Sequence, residues 1–226
     1  MTTKTPWWGL LSSAAAPTLL IGGWTVAAAR QEIGFDSLTQ TISALAALDA
    51  ADRWLMTAAL AGVGISHITT ALALRGAALP GRAVLATGGI ATVLVAAFPL
   101  PTVVGDGGST PHTIVAGISF GALAIWPALA MRTGRATSLA VLAKTAGVSL
   151  AGKSIRGGDK PIIPWGLRPT VALAATALLL GGVAWFVSDL GQEGSLVGLS
   201  ERMTAGAQAI WPLLVVLSTR RGLRPS

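Results

Sequence analysis

The sequence predicts an all-α fold: a polytopic membrane bundle of six transmembrane helices with both termini on the cytoplasmic side. Three observations lead there. Of the 226 residues, 52% are hydrophobic and only 11% charged, whereas soluble domains carry about a quarter charged residues. Six apolar runs each approach the ~20 helical residues that cross ~30 Å of hydrocarbon. The runs lack the apolar–polar alternation of membrane β-strands, so helices are the spanning structure left. Finally, placing the N-terminus inside puts thirteen of the sixteen Lys and Arg residues on the cytoplasmic side and leaves only Arg30, Arg53 and Arg202 outside.

The first span, about 7–29, follows Lys4 and is too long for the ~7–15-residue core of a signal peptide, so it reads as a retained anchor. Next comes an outer segment, Phe35-Asp-Ser-Leu-Thr-Gln-Thr-Ile-Ser-Ala-Leu45. At helical spacing Asp36, Thr39, Gln40 and Ser43 share one face, with Leu38, Ile42 and Leu45 opposite. That pattern predicts a short amphipathic helix in the first outer loop, its polar face turned either to water or to a cavity below.

The second span, about 54–74, carries His67 among Ser66, Thr69 and Thr70. An ionisable group at such depth is a functional candidate. The bland reading is a neutral histidine satisfied by those hydroxyls, or by Gln208 of the last span. The third span covers about 82–98. The fourth, about 112–131, opens Thr110-Pro-His112, with Pro in the first helical turn.

Residues 132–168 form a basic cytoplasmic loop. Its stretch 136–152 is nearly long enough to cross, but Lys144 at the centre and the charge rule argue for an interfacial helix or a loosely ordered insert. The fifth span is about 169–187. The sixth, about 203–218, follows Ser200-Glu-Arg202, where Ser200 suits an N-cap and Glu201 the positive end of the helix dipole. Gly121-Ala-Leu-Ala-Ile-Trp-Pro127 and Gly206-Ala-Gln-Ala-Ile-Trp-Pro212 echo one another and predict bends at matching depths.

The chemistry available is narrow. With no Cys and only His67 and His112, thiolate and His-rich metal sites are excluded, and no metal or cofactor is expected. Topology explains the basic residues, so no nucleic-acid partner is called for. Asp36, Gln40, His112, Glu201 and Arg202 share one depth at the outer face. A carboxylate beside an imidazole there would suit acid–base chemistry or a polar head group. A structural network tying the lid to the bundle is the simpler account. No carboxylate lies inside a span, which argues against proton-coupled transport.

The run 35–45, Arg53-Trp-Leu-Met56, Gly198-Leu-Ser-Glu-Arg202 and Gly206-Ala-Gln-Ala-Ile-Trp-Pro212 resemble the motifs of the bacterial membrane family catalogued as domain of unknown function 998. The resemblance implies a six-helix, multi-pass bundle of the bacterial plasma (inner) membrane and no activity. The insert from about 135 to 164 looks longer than that family's connection. In function, the sequence favours a bilayer-embedded protein binding a lipid or small amphiphile at the outer cluster. The alternatives are an enzyme acting on a lipid or isoprenoid, a small facilitative transporter, and an assembly subunit whose Gly- and Ala-rich faces meet a membrane-protein partner or a second copy.

Overall fold

Proline and small polar residues mark where the helices start. α1 (Trp7–Ala28) follows Pro6, and α2 (Trp54–Ala73) follows Arg53. α3 (Leu79–Ala97), α4 (Thr110–Ala130) and α5 (Pro169–Asp189) each hold Pro in the first turn, where its missing N–H has no helical partner to lose. Ser109 caps α4 by accepting the His112 N–H. α6 (Val197–Arg221) is the longest. These elements come from a computed structural model that describes residues 5–31, 34–103, 108–133, 163–192 and 195–221. Among the described residues there is no strand.

Each helix packs on the next in the chain, and α6 closes on α1, so the six form a ring. Contacts across the ring are few. Apolar side chains such as Ile65, Leu72, Ile114, Leu173 and Leu178 face outward, whereas Ser13, Ser66, His67, Thr92, Ser119 and Gln208 are buried. An apolar exterior around partly polar helix contacts is what a bilayer solvent selects. Among the described residues, five helices, α1 to α5, are long and apolar enough to cross a membrane. α6 is less apolar because Glu201, Arg202 and Gln208 all lie on it.

Two apolar clusters fill the ring. One, at the end holding the α1–α2 connection, gathers Leu20, Ile42, Leu45, Met56 and Val63. The other gathers Leu85, Leu123, Trp126, Leu167 and Val215, with Trp211 packed against it. The two Trp–Pro pairs therefore converge on one cluster. The Ala128 N–H, just past Pro127, is taken by the Thr176 hydroxyl of α5 at 3.0 Å, a side-chain repair of a proline-disturbed helix. Of the basic loop, residues 163–168 are described: a 3-10 turn, Trp165–Leu167, buries Leu167, whose carbonyl accepts the Arg132 N–H at 2.9 Å. The stretch 136–152 lies outside the described residues.

The expected amphipathic helix after α1 is instead a run of turns ending in a single 3-10 turn, Ser43–Ala46. A helix would pair the Ile42 N–H with the Leu38 carbonyl. α6 takes both: Leu199 N–H donates to Leu38 O at 3.0 Å, and Glu201 accepts from Ile42. Ile42 and Leu45 are buried as expected, while Leu38 is half exposed.

One close helix crossing is α2 on α3 at Gly64 and Gly89, where a Cβ on either would meet the other's carbonyl oxygen. Gly117 of α4 has nothing within 4 Å of such a Cβ. Gly89→Ala should therefore lower stability by about 1–3 kcal/mol through overpacking. Gly117→Ala should be neutral or gain up to about 1 kcal/mol from helix propensity. Detergent-induced unfolding of the two variants beside wild type checks this, and equal midpoints would refute the close crossing.

Candidate functional site

The segment from Asp36 to Ala47 lies over one end of the ring as a lid, and α6 holds it. Gly198 makes the approach possible, because a Cβ there would collide with the Gln40 and Ser37 carbonyls. Arg202 then donates through Nη1 to the carbonyl oxygens of Ser37 (2.7 Å), Gln40 (2.7 Å) and Gly198 (2.9 Å). Glu201 accepts from the Ile42 N–H and from the Ser43 hydroxyl at 3.4 Å. Thus the motif 198–202 is a clamp for the irregular backbone of 37–43.

Asp36 and Gln40 organise the lid itself. Asp36 accepts from the Leu38 N–H (2.9 Å) and the Thr39 hydroxyl (3.1 Å), while Gln40 Oε1 accepts from the Asp36 N–H at 2.8 Å. Asp36 is exposed. His112 stands apart from this group: its Nδ1 is 2.8 Å from the Phe98 carbonyl. The outer set therefore splits into a lid network (Asp36, Gln40, Glu201, Arg202) and a separate helix-end histidine. No imidazole–carboxylate pair forms between His112 and Asp36 or Glu201.

Beneath the lid, inside the ring, is a partly open cavity of about 60 Å³. Leu20, Val63, Val95 and Phe120 line its apolar walls. Its polar groups are Ser43, His67, Thr92, Ser119, Glu201 and Gln208. Seven residues separate Glu201 from Gln208, about two helical turns or ~10 Å, so the cavity has a carboxylate near the lid and an amide deeper in.

Most of these polar groups are already paired. Thr92 and Ser119 share a hydrogen bond of 2.8 Å, and the Thr92 hydroxyl donates to the Gly88 carbonyl, also at 2.8 Å. Gln208 Nε2 donates to the Phe120 carbonyl at 2.9 Å. His67 is different: at 1% exposure, neither ring nitrogen has a partner. The hydroxyls expected to satisfy it are engaged elsewhere. Ser66 donates to Gly62 O, Thr69 donates to Ile65 O, and Thr70 pairs with Ser12 of α1. A neutral imidazole offers one donor and one acceptor, and leaving both unmade in an apolar setting costs about 1–3 kcal/mol per group.

Glu201 precedes the stretch 203–218. Burial pushes its carboxyl from 4.5 up to about 7, against the opposing pull of the Ile42 N–H, the Arg202 charge and Ser43. Because the folded value is raised, the group's stability contribution is full below about 4.5 and is lost as pH climbs through about 7. Thermal unfolding in detergent should show that decline in wild type, whereas Glu201→Gln should flatten it. A second expectation concerns the clamp. Arg202→Met keeps the stem but removes the donors, each worth about 1.5–3 kcal/mol. Amide exchange at Leu199 and across 38–43 should accelerate at least about tenfold, and unchanged protection would remove Arg202 from the clamp.

No curated protein and no solved structure matches the chain. The family model for a protein of unknown function, DUF998, matches residues 13–157. That stretch includes the lid run 35–45 and Arg53-Trp-Leu-Met56, while the clamp motif 198–202 lies beyond it. With well over half its length matched, and with long apolar helices packed in a ring, the chain is an integral membrane protein belonging to the DUF998 family.

Proposed function

We propose that this protein is a binding protein for a small amphiphile, whose polar end enters the cavity while its apolar body lies among the helices. The observation that carries the reading is His67: a buried imidazole with both nitrogens unpartnered, on the wall of a largely apolar cavity. Ligand sites have this character, apolar walls with a few convergent polar groups. A volume of about 60 Å³ accommodates a polar group of a few non-hydrogen atoms, such as a small head group.

The proposed setting is a bacterial plasma membrane, with six spans and the lid end outside. α6 takes its place between α5 and α1 in the ring, which supports counting it as the sixth span. Arg75, Arg82, Arg132, Arg168 and Arg220 sit toward the end opposite the lid, where Arg82 donates to the Ala71 carbonyl at 2.8 Å and Arg132 to Gly76 at 2.8 Å. That asymmetry favours the opposite end as cytoplasmic. Binding is favoured over the acid–base alternative because His112 is committed to Phe98. It is favoured over passage because Leu85, Trp126 and Val215 fill the ring below the cavity.

Ala116 and Ala205 line the cavity from α4 and α6. Native mass spectrometry of protein extracted from its own membranes should show a discrete bound mass for wild type. Ala205→Leu or Ala116→Leu, which fill the space, should lower its occupancy about tenfold. The same bound complement in wild type and in folded variants would overturn the reading.

A further inference from the structure

We infer that the cavity selects amphiphiles bearing a primary amine, held as an ammonium against Glu201. This inference rests on the amphiphile-binding reading and adds the charge class of the ligand.

Three features point to it. First, among the described residues the only charged side chain lining the cavity is the Glu201 carboxylate, at 3% exposure, and no Lys or Arg lines it. A buried carboxylate calls for a cationic partner, and an anionic head group would face repulsion with no compensating cation. Second, the neighbouring cation is occupied elsewhere. Arg202 turns its Nη1 onto the Ser37, Gln40 and Gly198 carbonyls and does not line the cavity, although its Nη2 has no partner, and the sole ion pair among the described residues, Arg30–Asp52 at 3.4 Å, lies outside the cavity. Third, the hydrogen-bonding capacities match. An ammonium offers three donors and no acceptor. Glu201 accepts one, the remaining donors being free for the Ser43 oxygen or water. The cavity volume suits a group of that size better than a phosphate with its substituents.

Binding of an ammonium requires the Glu201 carboxylate, so the affinity should rise with pH as that group ionises. The titratable and charged groups around it are Arg202 on α6, Asp36 in the lid and His67 on α2 across the cavity. His112 faces Phe98. Burial raises the Glu201 carboxyl to about 7, which places the transition within the range where a long-chain amine keeps its charge.

The test uses three probes of equal chain length: dodecylamine, dodecanol and dodecanoate. Their binding to the full chain in maltoside micelles is measured by competition-corrected intrinsic Trp fluorescence and native mass spectrometry. Dodecylamine should bind at least about tenfold more tightly than dodecanol at pH 8, as befits a charge-assisted contact. Dodecanoate should bind more weakly than either. The preference for the amine should shrink at pH 5.5. Glu201→Gln, which keeps an acceptor for the Ile42 N–H, should abolish both the preference and its pH dependence. Equal binding of amine and alcohol, or an unchanged preference in Glu201→Gln, would overturn the charge assignment and leave the amphiphile reading standing. Failure of all three probes to bind wild type, with Ala205→Leu indistinguishable from it, would overturn both.

Discussion

An irregular backbone laid across the end of a membrane bundle must find partners for its peptide groups, and here one short stretch of α6 supplies them. Leu199 N–H, the Glu201 carboxylate and the Arg202 guanidinium satisfy Leu38 O, Ile42 N–H, Ser37 O and Gln40 O in turn. In a setting where water is scarce, each such group left alone would cost several kcal/mol. The lid keeps its shape because the last helix satisfies it, and the cavity exists because the lid covers it. Gly198 is the steric condition for both, since it lets the lid backbone descend onto α6.

The ring arrangement explains why polar groups cluster inside. Helices that pack only on their neighbours leave a central space, and the residues facing it are few enough to be specified singly. α2 contributes His67, α3 Thr92, α4 Ser119 and α6 Gln208. The Thr92–Ser119 pair is self-satisfied and serves to join α3 to α4. Gln208 ties α6 to α4 through the Phe120 carbonyl, the closest the ring comes to a cross-brace. His67 joins nothing, which separates it physically from the structural hydrogen bonds around it.

Much of this is legible in the chain itself. Pro80, Pro111 and Pro169 mark helix starts through a purely local effect, the missing N–H, and the helices begin there. Periodicity reads the lid as a helix, but its i to i−4 pairing is broken by partners some 160 residues away, a competition no local pattern records. Glu201 and Arg202 were legible by depth and do meet the lid. Depth alone groups His112 with them, and depth says nothing of azimuth around a helix; its ring points to Phe98. His67 was visible as a lone ionisable residue, yet its expected partners were wrong. Ser and Thr within helices bond back to the carbonyl one turn earlier, as Ser66 and Thr69 do. Thr92 and Ser119 carry no such signal: α3 also holds Thr87, and α4 Thr110 and Thr113, so neither hydroxyl stands alone in its run.

Sequential packing also dictates an order of assembly. From α1 to α5 every interface joins helices adjacent in the chain, so each can form as soon as its second member enters the bilayer, with little loop entropy to overcome. The exception is the seam between α1 and α6, which brings Thr5 to Thr219 at 2.8 Å and Leu38 to Leu199. The arrival of α6 closes the ring, seats the lid and places the carboxylate and amide in the cavity in one event. Until then the nascent bundle is an open arc whose concave polar face, His67 included, is exposed to lipid, and that vulnerability ends only when the last helix inserts.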